Sequence, residues 1–129
     1  MRVLIIDDEP VIRGVVQRLL VRVGHEALSA GGPETALKLL ADTQVDVVLL
    51  DRRMPNLSGE ALYLVLTHRW PYLKGRVVLM SGAPLDLDGG LPAELGSCHF
   101  LGKPFTVDQL LGVLGEIAAQ AAPRDRDTA

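Results

Sequence analysis

The sequence predicts an α/β fold in which helices cover both faces of a parallel sheet, and three observations carry that prediction. Short apolar runs recur along the chain, at residues 3–6 (VLII), 45–50 (VDVVLL), 76–80 (RVVLM) and 98–101 (CHFL). Continuous runs suit strands buried on both faces, whereas a strand with one wet face alternates. Stretches with helical periodicity separate the runs, which argues for βαβ units and right-handed crossovers. Finally, each run ends on chemistry: Asp7-Asp8, Asp51, Ser81 and Lys103-Pro104.

The first strand is expected over residues 2–7. Pro10 then fits the first turn of a helix, and Val11, Ile12, Val15, Val16, Leu19, Leu20 and Val23 recur at helical spacing until Gly24. Residues 25–30 (HEALSA) form a weaker strand, suited to a sheet edge, and Gly31-Gly32-Pro33-Glu34 opens a short helix through Leu40. After the run at 45–50, Met54-Pro55-Asn56-Leu57-Ser58-Gly59 resists any regular element, so a loop follows Asp51.

A third helix is expected over residues 60–69, stopped at Trp70-Pro71 because proline removes a donor and restricts its predecessor. Residues 82–96 (GAPLDLDGGLPAELG) hold four glycines and two prolines, so a helix there should be short and loosely held and the segment the most mobile. The last strand, at 98–101, leads to Thr106 as a helix cap and to an apolar face of Val107, Leu110, Leu111, Leu114 and Ile117. From Pro123 onward, PRDRDTA lacks apolar residues and reads as a disordered tail or linker. The architecture is a five-stranded, doubly wound sandwich.

With 129 residues and 48% hydrophobic content, the chain can bury one core and is too short for two ordinary domains. A net charge of -3 and a pI near 5.5 give no basic footprint, so direct nucleic-acid binding is not expected. Cys98 is the single cysteine and has no intramolecular partner, and no apolar run approaches the ~20 residues needed to cross a bilayer. No membrane association and a cytoplasmic location are the expectations.

Parallel strands share one carboxyl edge, where open α/β proteins place their ligands. Asp7, Asp8, Asp51, Ser81 and Lys103 should therefore meet in one pocket. Each has a plainer reading alone: Asp-Asp-Glu-Pro can serve as a helix cap, Asp51 as an acid at a strand exit, and strand-end Ser and Lys are common. Together, three carboxylates repel unless a cation offsets them, and Mg²⁺ suits an all-oxygen site. A carboxylate there can act as a nucleophile toward a phosphoryl group, with Lys103 adding positive charge and Ser81 a hydroxyl donor. His25, His68 and His99 lack ligand spacing with one another or with Cys98, and Met80 and Trp70 read as packing residues.

Taken together, VLIIDDEP, VVLLDRRMPNLSG, VVLMSG and FLGKPF closely resemble the receiver domain of two-component response regulators, across nearly all of residues 2–119. The resemblance implies a flavodoxin-like sheet of order 2-1-3-4-5, for which a receiver protein is a stock example. It implies five helices, the fourth short or irregular here, with the receiver domain at 1–120 and a tail at 121–129. Asp51 matches the phospho-acceptor, charged from a phosphohistidine of a histidine kinase or histidine phosphotransfer protein. Asp8 and Asp51 match direct Mg²⁺ ligands, Asp7 an acid acting mainly through water, and the Arg53 backbone carbonyl the remaining protein ligand. Lys103 matches the lysine that pairs with the phosphoryl group, Ser81 and Phe100 match the switch pair, and Pro104 matches a proline preceded by a cis peptide.

The same resemblance makes the chain a phospho-acceptor that assists its own phosphorylation and dephosphorylation rather than an enzyme. It acts on a downstream protein or an attached output domain, with a weak homodimer through the fourth helix, fifth strand and fifth helix. The LMSG and LGKPF wording is similar to receivers of hybrid sensor histidine kinases. Arg53, Gly82 and Ala83 depart from the commonest pattern near the acceptor, and Phe100 lacks the hydroxyl often found at the switch. The alternative is a pseudo-receiver that binds partners without phosphorylation, against which the intact set of Asp8, Asp51, Ser81 and Lys103 speaks. A flavin-binding or phosphatase-type fold would need a phosphate loop, or acids spaced around an apolar residue, after the first strand. Asp7-Asp8-Glu9-Pro10 is neither.

Overall fold

A computed structural model describes residues 1–55, 57–82 and 98–120. Strands β1 (Arg2–Ile6), β2 (Glu26–Ala30), β3 (Val47–Asp51), β4 (Val77–Ser81) and β5 (His99–Gly102) form one parallel sheet in the order β2-β1-β3-β4-β5. Helices α1 (Pro10–Arg22), α2 (Pro33–Asp42), α3 (Gly59–Arg69) and α4 (Val107–Gln120) connect and close it, with a single 3₁₀ turn at Pro71–Leu73. These are the expected strands in the expected order. The expected mobile segment with its short helix, Ala83, and the tail at 121–129 lie outside the described residues.

Alternation along the strands explains why their sequences are apolar throughout. Leu4, Ile6, Val48, Leu50, Val77 and Leu79 pack on one face with Ala36 and Leu40 of α2 and Leu62, Tyr63 and Leu66 of α3. Val3, Ile5, Val47, Leu49, Val78 and Met80 pack on the other with Val16 and Leu20 of α1 and Leu110, Leu114 and Ile117 of α4. With a period of two and a helix layer on each side, every strand position in β3 and β4 is buried. β2, the weakest run, is the partly exposed edge.

Local chemistry sets the helix ends. Pro10 occupies the first turn of α1. At its other end Gly24 adopts a φ of 95°, a left-handed conformation suited to glycine, while the amides of Gly24 and His25 donate to the carbonyls of Val21 and Leu20. α2 runs to Asp42, two residues past the expected Leu40. α3 begins at Gly59 because Ser58 Oγ accepts from the Ala61 amide at 3.1 Å, a cap not anticipated in the run 54–59.

α4 opens with a reciprocal pair: the Gln109 amide donates to Thr106 Oγ1 at 3.0 Å and the Thr106 amide donates to Gln109 Oε1 at 2.8 Å. Phe105, just before the cap, packs into the same cluster as Leu110 and fixes the approach of the chain from β5. None of the described helices is long and apolar enough to cross a membrane.

Candidate functional site

The parallel register aligns Ile6 with Leu50, Asp51 with Met80 and Ser81 with Gly102, so the residues that follow each strand leave the sheet at one edge. There the carboxylates of Asp7, Asp8 and Asp51 lie within 4.8 Å of one another. Asp7 is fully buried, Asp51 and Ser81 are nearly so, and Asp8 is the most open of the three acids.

Asp7 is held from every side. Its amide donates to the Ala30 carbonyl at 3.2 Å, and its own carbonyl accepts from Arg13 Nη1 at 2.7 Å. Asp7 Oδ1 accepts from the Glu9 amide at 2.9 Å and Oδ2 from Lys103 Nζ at 2.8 Å. The four acidic and proline residues at 7–10 therefore do not form a side-chain helix cap: Glu9 stands at the cap position without such a bond.

Asp51 Oδ1 accepts from the Arg53 amide at 3.2 Å and lies 3.6 Å from Lys103 Nζ. Burial pushes the Asp51 carboxyl up to about 6; the charges of Asp7 and Asp8 add to the rise, while the Arg53 amide and Lys103 oppose it. Burial works against the Lys103 ammonium, but its hydrogen bond to Asp7 and the charges of Asp7, Asp51 and Glu9 hold its pKa above the ordinary value. The peptide before Pro104 is cis, as expected, and the Lys103 amide donates to the Ser81 carbonyl at 2.6 Å, tying β5 to the end of β4.

The loop after Asp51 closes tightly. The Gly59 amide donates to the Arg52 carbonyl at 2.8 Å, and a Cβ at Gly59 would stand 2.6 Å from the Asp51 carbonyl oxygen and 2.8 Å from the Arg52 Cα. Only glycine lets α3 start this close to the end of β3. Arg52 turns away from the pocket to pair with Glu60 at 2.9 Å, while Arg53 is exposed at the mouth.

Phe100 is half-buried, packed against the α2–α3 side of the core, and it shares a surface groove with Lys103, Gln109 and Val113. The histidines stay out of the pocket: His25 Nδ1 meets the terminal amine of Met1 at 3.0 Å, and His99 faces Glu116 at 3.9 Å. Met80 is wholly buried on the α1–α4 side of the sheet, and Trp70 packs on the α2–α3 side beneath the Arg69 guanidinium. The three acids of the pocket were expected from the sequence, whereas Arg13 was not among the expected residues. The paired glycines at 31–32 were its only trace, because the guanidinium lies against Gly31.

A family model for the response regulator receiver domain matches residues 3–114. The chain is 34% identical over 111 residues to the DNA-binding transcriptional regulator NtrC of Proteus hauseri, covering 85% of this chain but only 23% of that protein. It is 28% identical over 125 residues to protein PilG of Pseudomonas aeruginosa, covering 97% of this chain and 93% of that one. Among solved structures, the response regulator TrrA of Thermotoga maritima in complex with Mg(2+)-BeF superposes with a TM-score of 0.77 at 26% identity, covering 90% of this chain and 97% of the other. The chain belongs to the response regulator receiver domain family.

Proposed function

We propose that this receiver accepts a phosphoryl group on Asp51 from a phosphohistidine of a histidine kinase or phosphotransfer protein. The observation that carries the reading is the pocket itself: a nearly buried Asp51 carboxylate, two further acids within 4.8 Å, and the Lys103 ammonium 3.6 Å from the acceptor oxygen. A carboxylate oxygen of Asp51 attacks phosphorus, the phosphorus–nitrogen bond of the donor breaks, and its electron pair returns to the imidazole, which takes a proton from solvent. Lys103 follows the new phosphoryl group as a counter-charge, and Ser81 offers a hydroxyl donor at the end of the neighbouring strand.

Three hard oxygen donors so close together fit Mg²⁺, and the related TrrA was solved with Mg(2+)-BeF. Asp8 and Asp51 would hold the ion directly, with the Arg53 backbone carbonyl. Asp7, whose carboxylate oxygens already accept protein hydrogen bonds, would act through water. When bound, the ion supplies neutralisation of the charge on the transferring oxygens.

The module is a phospho-acceptor rather than an enzyme acting on a separate substrate. Phosphorylation biases two states of the surface that carries Phe100, with the Ser81 hydroxyl drawn toward the phosphoryl group and the ring following inward. A downstream protein or an attached output domain reads that surface. Intact mass after incubation with acetyl phosphate, with and without Mg²⁺, tests the reading. A metal-dependent gain of one phosphoryl group, absent in Asp51→Asn, supports it; no gain, with a phosphohistidine donor included, favours the pseudo-receiver.

A further inference from the structure

We infer that Arg13 is a positioning residue for the acidic pocket, setting the direction of the Asp8 carboxylate by holding the peptide between Asp7 and Asp8. Arg13 sits one turn into α1, and its Nη1 donates to the Asp7 carbonyl at 2.7 Å. A peptide unit is planar, so restraining its carbonyl oxygen also restrains the next Cα, which lies in the same plane. That next Cα belongs to Asp8.

The consequence differs between the two acids. Asp7 needs no help, since its amide and both carboxylate oxygens have other partners. The Asp8 carboxylate accepts no hydrogen bond from the described residues, so its backbone, which places the Cβ and limits the rotamers, is what directs it toward the cluster. Among the described residues, the Arg13 bond restrains the peptide before Asp8 and the Glu9 amide, bound to Asp7 Oδ1, restrains the peptide after it, so Arg13 supplies the side-chain share of what aims Asp8 into the cluster with Asp7 and Asp51.

The guanidinium is itself held in place. It lies across Gly31 in the loop after β2, where a Cβ would stand 3.0 Å from Nη1 and 3.5 Å from Cζ. One side chain thus clamps α1, the end of β1 and the loop after β2, three segments that meet at the pocket edge. A Cβ at Gly31 would press on the guanidinium, which would have to give by a few tenths of an ångström.

The inference rests on the proposed role of Asp8 as a metal ligand, and it predicts an effect whose sign opposes simple electrostatics. Removing a cation beside three carboxylates should by Coulomb's law tighten the binding of a divalent ion. Loss of positioning should weaken it, on the scale of other residues that orient metal ligands.

Calorimetric titration of the full chain with Mg²⁺, comparing the native protein with Arg13→Met, Arg13→Lys and Gly31→Ala, decides between them. Thermal melting in the presence of a chelator shows which variants are folded. Arg13→Met should bind Mg²⁺ about ten-fold more weakly, and Arg13→Lys, which keeps a donor, should recover much of the loss. Gly31→Ala, whose added methyl presses on the guanidinium without removing it, should weaken binding in the same direction by less.

At saturating Mg²⁺, the phosphorylation rate with acetyl phosphate should return to the native value in Arg13→Met, with the half-saturating metal concentration raised. Unchanged or tighter Mg²⁺ binding in folded Arg13→Met overturns the inference and leaves the proposed function standing. Should Arg13→Met fail to fold, unchanged affinity in Gly31→Ala overturns it instead. Failure of the native chain to bind Mg²⁺ at all overturns both.

Discussion

Lys103 Nζ lies 2.8 Å from Asp7 Oδ2, a pair joined across 96 residues of chain in which the acid is fully buried and the lysine only 15% exposed. In the absence of metal this ammonium offsets the charge of two pocket acids, since it also lies 3.6 Å from Asp51. The same atom that would follow a phosphoryl group therefore stabilises the fold beforehand.

Lys103→Ala should consequently cost about 3 kcal/mol of stability without metal, because it leaves a buried carboxylate without its charge partner. The same variant should bind Mg²⁺ more tightly, since the competing cation is gone. Urea denaturation in chelator, followed by Mg²⁺ titration, checks both signs.

Asp51 makes metal-free stability fall as pH rises. Its folded value of about 6 lies above the ordinary 3.8, so the folded state binds the extra proton between those values. Stability from this group is full below 3.8 and is lost as pH rises through about 6. Asp51→Asn should remove that slope and be more stable than the native chain at neutral pH without metal. Chelator-containing melts from pH 4 to pH 8, roughly the range over which this carboxyl deprotonates, read it directly.

Gly59→Ala adds a Cβ where backbone atoms already stand at 2.6 and 2.8 Å. Alanine's helix propensity favours the change by up to about 1 kcal/mol, but overpacking against backbone costs about 1–3 kcal/mol or more. Net destabilisation in urea and slower phosphorylation by acetyl phosphate are expected, because the displaced atoms belong to Asp51 and Arg52.

Thr106→Ala should cost about 1 kcal/mol through loss of the cap on α4. The helix follows directly on Lys103-Pro104, so amide exchange at Gln109, whose N–H loses its acceptor, should rise first. Hydrogen exchange followed by NMR reports this at single residues.

Much of the fold could be read from the chain because both-face burial leaves a plain signature: apolar runs without alternation, each ended by a polar residue at the same sheet edge. Asp7, Asp8, Asp51, Ser81 and Lys103 were legible together for that reason. Strand limits were less so. Val45 is buried yet precedes β3, and Asp51 lies within it rather than after it, because burial and ladder pairing do not begin at the same residue.

The Ser58 cap was masked by the Met-Pro-Asn-Leu run before it, although Ser-Gly-Glu ahead of an apolar stretch is a helix-start signal. The Thr106–Gln109 pair was half seen, as a cap without its reciprocal partner. Arg13 left only the glycines at 31–32 as a trace, since a side chain bonding to a backbone carbonyl in another segment has no sequence pattern of its own.

The most direct test of the central claim is chemical trapping of the phosphorylated site. The chain is treated with a phosphodonor and Mg²⁺, reduced with sodium borohydride, digested and sequenced by tandem mass spectrometry. An acyl phosphate on Asp51 is reduced there to homoserine, and that conversion is expected at position 51 alone, dependent on the donor. Conversion at Asp7 or Asp8 instead, or none at any residue with a phosphohistidine donor present, would contradict it.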